Sequence, residues 1–109
     1  MELKRGDLVI VSAPGSYGKP RPSVIIQSDL YDGNGSLAVL LMTTKLHPDS
    51  PLIRYNILPT KANGLQEPTD VMIDKLFTVP RNRMRKRIGH LTPAQMGEIT
   101  AELAVFLGM

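Results

Sequence analysis

The sequence has no cysteine, no tryptophan and only two histidines. Without cysteine there are no disulfide cross-links, no thiolate catalysis and no zinc site built on thiolates. With only His47 and His90 available, a histidine-rich metal site is not expected either. The sequence therefore predicts a protein that needs no metal and no other cofactor.

Long hydrophobic runs are also missing. No run approaches the roughly 20 apolar residues that a membrane-spanning helix needs, and the N-terminal stretch LVIVS is too short for the apolar part of a signal peptide. We therefore expect a cytoplasmic protein with no membrane contact. A chain of 109 residues supplies one hydrophobic core. We expect a single domain covering residues 1–109.

Short segments rich in β-branched and apolar residues predict strands at 7–11, 23–28, 37–44, 52–58, 70–74 and 76–80. Turn sequences such as YDGNGS and Asn63-Gly64 separate them. The spacing predicts a mainly β fold, a small antiparallel sheet or partly open barrel. A C-terminal α-helix should begin after Thr92, because Thr92, Pro93 and Gln95 form a capping-box pattern. Its expected buried stripe is Met96, Ile99, Leu103 and Phe106.

Positive charge is concentrated in RNRMRKR, residues 81–87, which holds five of the thirteen Lys and Arg residues. A cluster of this kind suits an anionic ligand, because local field strength depends on clustering and not on net charge. A solvated surface with no ligand explains the same run.

Arg21 lies between Pro20 and Pro22 at the start of an apolar strand. The prolines restrict the backbone, so the guanidinium is presented from a stiff segment. A fork of permanent positive charge suits a phosphate, which accepts two parallel hydrogen bonds from arginine. The alternative is a loop arginine paired with a neighbouring carboxylate.

Three further polar residues are candidates for chemistry. Thr43 and Thr44 end an apolar strand, so at least one hydroxyl should reach solvent, although β-propensity alone also explains them. Asp74 closes the segment DVMID; it is a candidate general base or a turn-forming aspartate.

Several segments together resemble the PemK/MazF (Kid) toxins of toxin–antitoxin modules. The segments are RGDLVIV, PGSYGKPRPSVIIQSD, LLMTT, NGL, VMIDKLFTVPRNRM and IGHLTPAQM followed by FLGM. They occur in the family's order and cover almost the whole chain. The resemblance implies a small SH3-like barrel with a C-terminal helix, usually a homodimer. It also implies an endoribonuclease that cuts single-stranded RNA, chiefly mRNA, at short motifs and is neutralised by an antitoxin.

The resemblance implies roles for particular residues. Arg21 and Thr43 match the residues most tied to cleavage, and Thr44 fills the neighbouring position. Asp74 matches an aspartate that some members use as a base. The chain departs from the pattern at Met72, where some members have arginine, and in lacking a loop histidine between residues 14 and 22.

The predicted reaction follows from RNA itself, whose 2′-hydroxyl is a nucleophile that a protein can position against the adjacent phosphorus. Arg21 would bind the phosphate, Thr43 and Thr44 would hydrogen-bond phosphate or ribose, and Asp74 would take the 2′-proton. The residues expected to bind more of the RNA are Tyr17, Lys19, Arg81, Arg83, Arg85 and Arg87.

Two other functions fit the same fold. One is a toxin that poisons gyrase, as the CcdB-like relatives do through a C-terminal tryptophan, but this chain has no tryptophan and ends in FLGM. The other is a catalytically silent SH3-like module that binds RNA or protein. Turnover of RNA distinguishes the enzyme from the silent module.

Overall fold

The computed structural model of the chain describes residues 1–12 and 19–109. The elements in chain order are β1 (Asp7–Val11), β2 (Arg21–Ile25), β3 (Ser36–Thr43), β4 (Arg54–Ile57), β5 (Thr69–Pro80), β6 (Met84–His90) and the helix α1 (Pro93–Phe106). The strands form one six-stranded sheet in the order β4-β5-β3-β2-β1-β6, and every pair is antiparallel. The predicted fold class, mainly β with a C-terminal helix, is confirmed.

Each face of the sheet carries its own apolar cluster, because successive side chains on a strand point to opposite faces. On the face that packs against α1, here called the helix face, the cluster includes Leu8, Val24, Leu40, Met42, Val71, Met96 and Ile99. The opposite face, here called the far face, carries Val9, Val11, Val39, Leu41 and Met72. The face of the sheet on which any other strand residue lies can therefore be found by counting along the strand from one of these residues.

Two strand predictions are wrong. Residues 70–74 and 76–80 belong to one long strand, β5, whose register against β3 shifts between Leu40 and Met42. Such a shift bends a strand without ending it. The basic run also contains an edge strand, β6, in which Arg85, Lys86 and Arg87 are exposed. Charged side chains are common on edge strands because they discourage pairing with another chain, and they hide the alternation that predicts a strand.

The helix α1 begins as predicted. Thr92 Oγ1 accepts from Gln95 N at 3.1 Å, and Gln95 Oε1 accepts from Thr92 N at 3.0 Å. Its buried stripe is shorter than expected: Met96 and Ile99 are buried, but Phe106 is 48% exposed, so Phe106 is not a core residue. Burial fades along the helix, and Val105, Phe106 and Leu107 near its end are exposed. Within the described residues, no helix has the length and apolar character to cross a membrane.

The loop before β5 docks tightly against β6. The predicted Asn63-Gly64 turn is present, with Gly64 at a φ of +69°. His90 N donates to Ala62 O at 3.1 Å. A Cβ on Gly89 would lie 2.3 Å from Ala62 O, a contact that no real side chain tolerates. Glycine is therefore required at position 89 for the close approach of two backbones. The loop before β5 is thereby packed against β6.

Candidate active site

Arg21 and Thr43 lie next to each other at one end of the sheet. β2 begins at Arg21, which pairs with Val11 of β1. The register of β2 and β3 pairs Ser23 with Leu41, and two residues further along it Arg21 stands opposite Thr43. Neighbouring strands are about 4.8 Å apart. The two side chains, both half-buried on the far face, can therefore reach the same ligand group.

The hydroxyl of Thr43 is oriented by its own loop. Thr43 Oγ1 accepts a hydrogen bond from Lys45 N at 3.1 Å. A hydroxyl that accepts from the backbone keeps its own proton to donate elsewhere. Thr43 therefore offers a donor on the strand next to that of Arg21, and a hydroxyl together with a guanidinium suits the oxygens of a phosphate.

A buried carboxylate, Asp70, pairs with Thr43 from the neighbouring strand β5. Asp70 is 3% exposed. Its Oδ1 accepts from Asn56 Nδ2 at 3.1 Å, and its Oδ2 accepts from His47 N at 3.0 Å and from Arg54 Nη1 at 3.4 Å. Both carboxylate oxygens are thus occupied by hydrogen bonds from neighbouring groups, so Asp70 is suited to positioning these groups.

Arg54 extends this network to the segment that follows Thr43. Its Nη1 also donates to Lys45 O at 3.1 Å. Asp70 and Arg54 together hold residues 45–47, the same segment whose Lys45 amide orients Thr43. We call Asp70, Arg54, Asn56 and the His47 amide the Asp70 network.

The network was not predicted from the sequence. Arg54 and Asn56 do alternate with apolar residues, which indicates one polar face on β4. Nothing local shows that this face meets Asp70, because β5 pairs with both β4 and β3 only in the folded sheet.

The predicted base, Asp74, lies elsewhere on β5. It is four residues beyond Asp70, within the shifted register, and its Oδ2 is 3.7 Å from Lys75 Nζ. Its side chain is 26% exposed. Asp70, and not Asp74, is thus the carboxylate opposite Thr43, and the role of Asp74 as a base stays a prediction.

Two of the predicted RNA-binding arginines make internal contacts. Arg81 Nε donates to Asn34 O at 2.7 Å, and the guanidinium also donates to Asp32 O. Arg81 thereby holds the turn between β2 and β3. Arg87 Nε lies 3.2 Å from the buried Asp7 Oδ2. Arg81 and Arg87 therefore stabilise the fold through these contacts, which the charge pattern of the sequence did not indicate.

Arg83 and Arg85 are placed more favourably for an anion. Both are exposed, and with Ser12 and Asn82 they line a shallow depression of about 390 Å³. Arg85 Nε donates to Ser12 Oγ at 2.7 Å. Ser12 directly follows the end of β1, so this depression lies at the same end of the sheet as Arg21.

The other predicted binding residues divide in three ways. Lys19 is exposed and precedes Arg21 by two residues. Thr44 is exposed and faces the helix side, opposite to Thr43. Tyr17 lies outside the described residues. In residues 1–12 and 19–109, no three His, Asp or Glu side chains come together as metal ligands.

The strongest pKa shifts occur away from this end of the sheet, where β4 meets α1. Burial, followed by a 2.5 Å hydrogen bond from its hydroxyl to Glu98 Oε1, raises the pKa of Tyr55 to about 12. Burial and the nearby charge of Glu98 raise the pKa of Glu102. Glu102 Oε2 has no hydrogen-bond partner among the described residues.

Glu102→Gln should therefore stabilise the protein at neutral pH and not at acidic pH. A carboxyl whose folded-state pKa is raised contributes its full stability below the unfolded pKa, and this contribution is lost as pH rises through the folded pKa. We expect the variant to gain less than about 1 kcal/mol at pH 7, because water still screens this side chain. Urea unfolding across pH 4 to 7 tests this. Glu2→Gln, at an exposed carboxylate, is the control, and a pH-independent difference would contradict the prediction.

Comparison with known proteins connects this geometry to a family. Residues 4–107 match the profile of the "PemK-like, MazF-like toxin of type II toxin-antitoxin system". The chain is 44% identical over 108 residues to the probable endoribonuclease MazF of Mycolicibacterium smegmatis, covering 98% of each. The Mycobacterium tuberculosis toxin MazF-mt6 has the same fold, with a TM-score of 0.80 at 19% identity over 94% of this chain and 97% of that one. The MazE–MazF crystal structure from Deinococcus radiodurans gives 0.80 at 21% identity, covering 100% and 99%.

Proposed function

The chain belongs to the PemK-like, MazF-like toxins of type II toxin–antitoxin systems and is an endoribonuclease, and we propose that it cuts single-stranded RNA where Arg21 faces Thr43. The observation that best supports this site is the register of β2 and β3, which places a guanidinium and an oriented hydroxyl on adjacent strands. This pair matches the needs of a phosphate at which negative charge develops.

In the proposed reaction, the 2′-hydroxyl of one nucleotide attacks the adjacent phosphorus. The bond to the 5′-oxygen of the next nucleotide breaks and the leaving oxygen takes a proton from water, so the products carry a 2′,3′-cyclic phosphate and a 5′-hydroxyl. Arg21 binds two oxygens of the phosphate, and Thr43 donates a hydrogen bond to the same group or to the ribose. The nucleophile belongs to the substrate, and its alignment supplies much of the rate. The reaction therefore uses no metal ion.

Other residues bind more of the RNA in this proposal. Arg83 and Arg85, at the same end of the sheet, contact backbone phosphates beside the cleaved one, and Lys19 extends this contact. Thr44 binds the RNA from the helix face of the same end. Arg81 and Arg87 are weaker candidates for RNA binding, because their side chains already make contacts within the protein. Asp74 remains the proposed acceptor of the 2′-proton.

We further propose that residues 1–109 act as one toxin domain in the cytoplasm, where mRNA is available, and that the active form is a homodimer. The match over residues 4–107 supports a single unit. Its proposed inhibitor is a cognate antitoxin with a disordered acidic segment that competes with RNA for the basic end of the sheet. A mycobacterial endoribonuclease with the same fold has been solved in complex with its cognate antitoxin.

Incubation of a mixed-sequence single-stranded RNA with the purified protein in EDTA tests the function. We expect discrete fragments that carry 5′-hydroxyl ends and 2′,3′-cyclic phosphates. The matched control is an RNA with one 2′-deoxynucleotide on the 5′ side of the cleaved bond, which should stay uncut there.

Cleavage that persists at the 2′-deoxynucleotide would show that the 2′-hydroxyl is not the nucleophile. Cleavage that requires added Mg²⁺ would contradict the metal-free reaction. RNA that is retarded in a gel but never cut would instead identify a binding module. Mass spectrometry of the preparation must show this chain alone, since a bound antitoxin also suppresses cleavage.

A further inference from the structure

A groove of about 490 Å³ lies on the helix face at the end of the sheet that carries Arg21 and Thr43. Its apolar surface includes Ile10, Pro22 and Ile88. Exposed polar and charged side chains line it as well: Thr44, Gln66, Glu67, Lys86 and Arg87. Sites for small organic ligands have this size and this combination of apolar surface with a few polar groups.

The groove is directly connected to the proposed cleavage pair through the chain. Pro22 follows Arg21, and Thr44 follows Thr43. Since successive side chains alternate between faces, the pair points to the far face and its two chain neighbours point into the groove. The pair and the groove therefore lie at the same end of the sheet but on opposite faces. A single strand of RNA that passes around this end can place one phosphate on the pair and an adjacent base in the groove.

We propose that this groove binds one nucleobase beside the cleaved phosphate and thereby sets part of the cleavage motif. The inference rests on the proposed function. The apolar surface takes the face of the base, and Thr44, Gln66 and Glu67 read its edge. Single-stranded RNA is usually recognised through unstacked bases bound in this way.

The hydrogen-bonding groups of the polar side chains in the groove favour a nucleobase as the ligand. In the part of the chain that the structure describes, the side chains of Thr44, Gln66 and Glu67 make no hydrogen bond. They are therefore available to a ligand. The amide of Gln66 offers donors and an acceptor, as base edges require, while the carboxylate of Glu67 only accepts. Glu67 should therefore favour adenine, cytosine or guanine, which carry an exocyclic amino group, over uracil.

The test compares RNAs that differ only in the base on either side of the cleaved bond. The quantity measured is kcat/KM for the unmodified protein, for Glu67→Gln and for Gln66→Ala. At one position the protein should prefer an amino-bearing base over uracil by about tenfold. Glu67→Gln should lose this preference, because its amide can also donate a hydrogen bond to a uracil carbonyl. Glu2→Gln removes an exposed carboxylate at the opposite end of the sheet and should change nothing.

Base preferences that are unchanged in both groove variants would overturn the proposal and leave the groove to a protein partner. An equal loss on every RNA would also overturn it, because a base-reading contact must discriminate. Failure of the unmodified protein to cut any RNA is a different result, since it refutes the proposed cleavage itself. Both variants alter exposed side chains, and thermal unfolding should confirm that they are folded.

Discussion

Replacing Arg21 with alanine should lower kcat/KM for RNA cleavage by about 10²- to 10³-fold, the usual effect of removing one group that stabilises charge in a transition state. Arg21 starts β2 on the far face, opposite Thr43, and contributes the permanent charge of the cleavage pair. Cleavage of a labelled single-stranded RNA under single-turnover conditions measures the effect. Circular dichroism and thermal unfolding must show a folded variant.

Two control variants distinguish the two parallel hydrogen bonds of the Arg21 guanidinium from its positive charge. Arg21→Lys keeps one positive charge but cannot form two parallel hydrogen bonds, so its rate should lie between those of the native protein and the alanine variant. Lys4→Ala removes an exposed positive charge just before β1, at the opposite end of the sheet, and should cleave normally. Equal losses in Lys4→Ala and Arg21→Ala would mean that only net charge matters.

Thr43→Val tests whether the two residues act together. Valine keeps the branched shape that suits a strand and removes the donor. If Arg21 and Thr43 hold one phosphate, the double variant should lose much less than the product of the two single losses, because groups that act as a unit are not additive. Fully multiplicative losses would place the two residues at separate steps or sites.

The fold could be predicted well where local pattern and tertiary structure agree. β1, the capping box of α1 and the Asn63-Gly64 turn follow from residues adjacent in sequence. β6 could not be predicted from alternation, because its charged side chains stand at an exposed edge. The exposure of Phe106 depends on which part of α1 packs against the rest of the fold, which periodicity does not reveal.

The candidate site likewise contains residues that the sequence predicts and residues that it does not. The prolines around Arg21 and the position of Thr43 at the end of an apolar segment can be read directly from the sequence. Asp70 resembled any polar residue at the start of a strand. Its importance comes from β5 lying between β4 and β3, which surrounds one carboxylate with three donors from distant parts of the chain.

Asp70→Ala should destabilise the protein by about 3–5 kcal/mol, the usual cost of removing one partner of a buried ion pair. The guanidinium of Arg54 would stay half enclosed, with its side chain 17% exposed and no carboxylate beside it. The His47 amide and the Asn56 side chain would each lose an acceptor. Urea unfolding monitored by circular dichroism measures the loss. A change below about 1 kcal/mol would show that the pair is solvated like a surface salt bridge.

A double variant distinguishes stability from positioning. In Asp70→Leu combined with Arg54→Met, no charge is left unpaired, and apolar replacement of a buried pair is often neutral or stabilising. Stability should therefore recover relative to Asp70→Ala. Cleavage should not recover, because the ties to Lys45 O and His47 N are gone, and the Lys45 amide that orients Thr43 is no longer held. We expect kcat to fall more than KM rises. Full recovery of both stability and cleavage would show that the Asp70 network serves the fold alone.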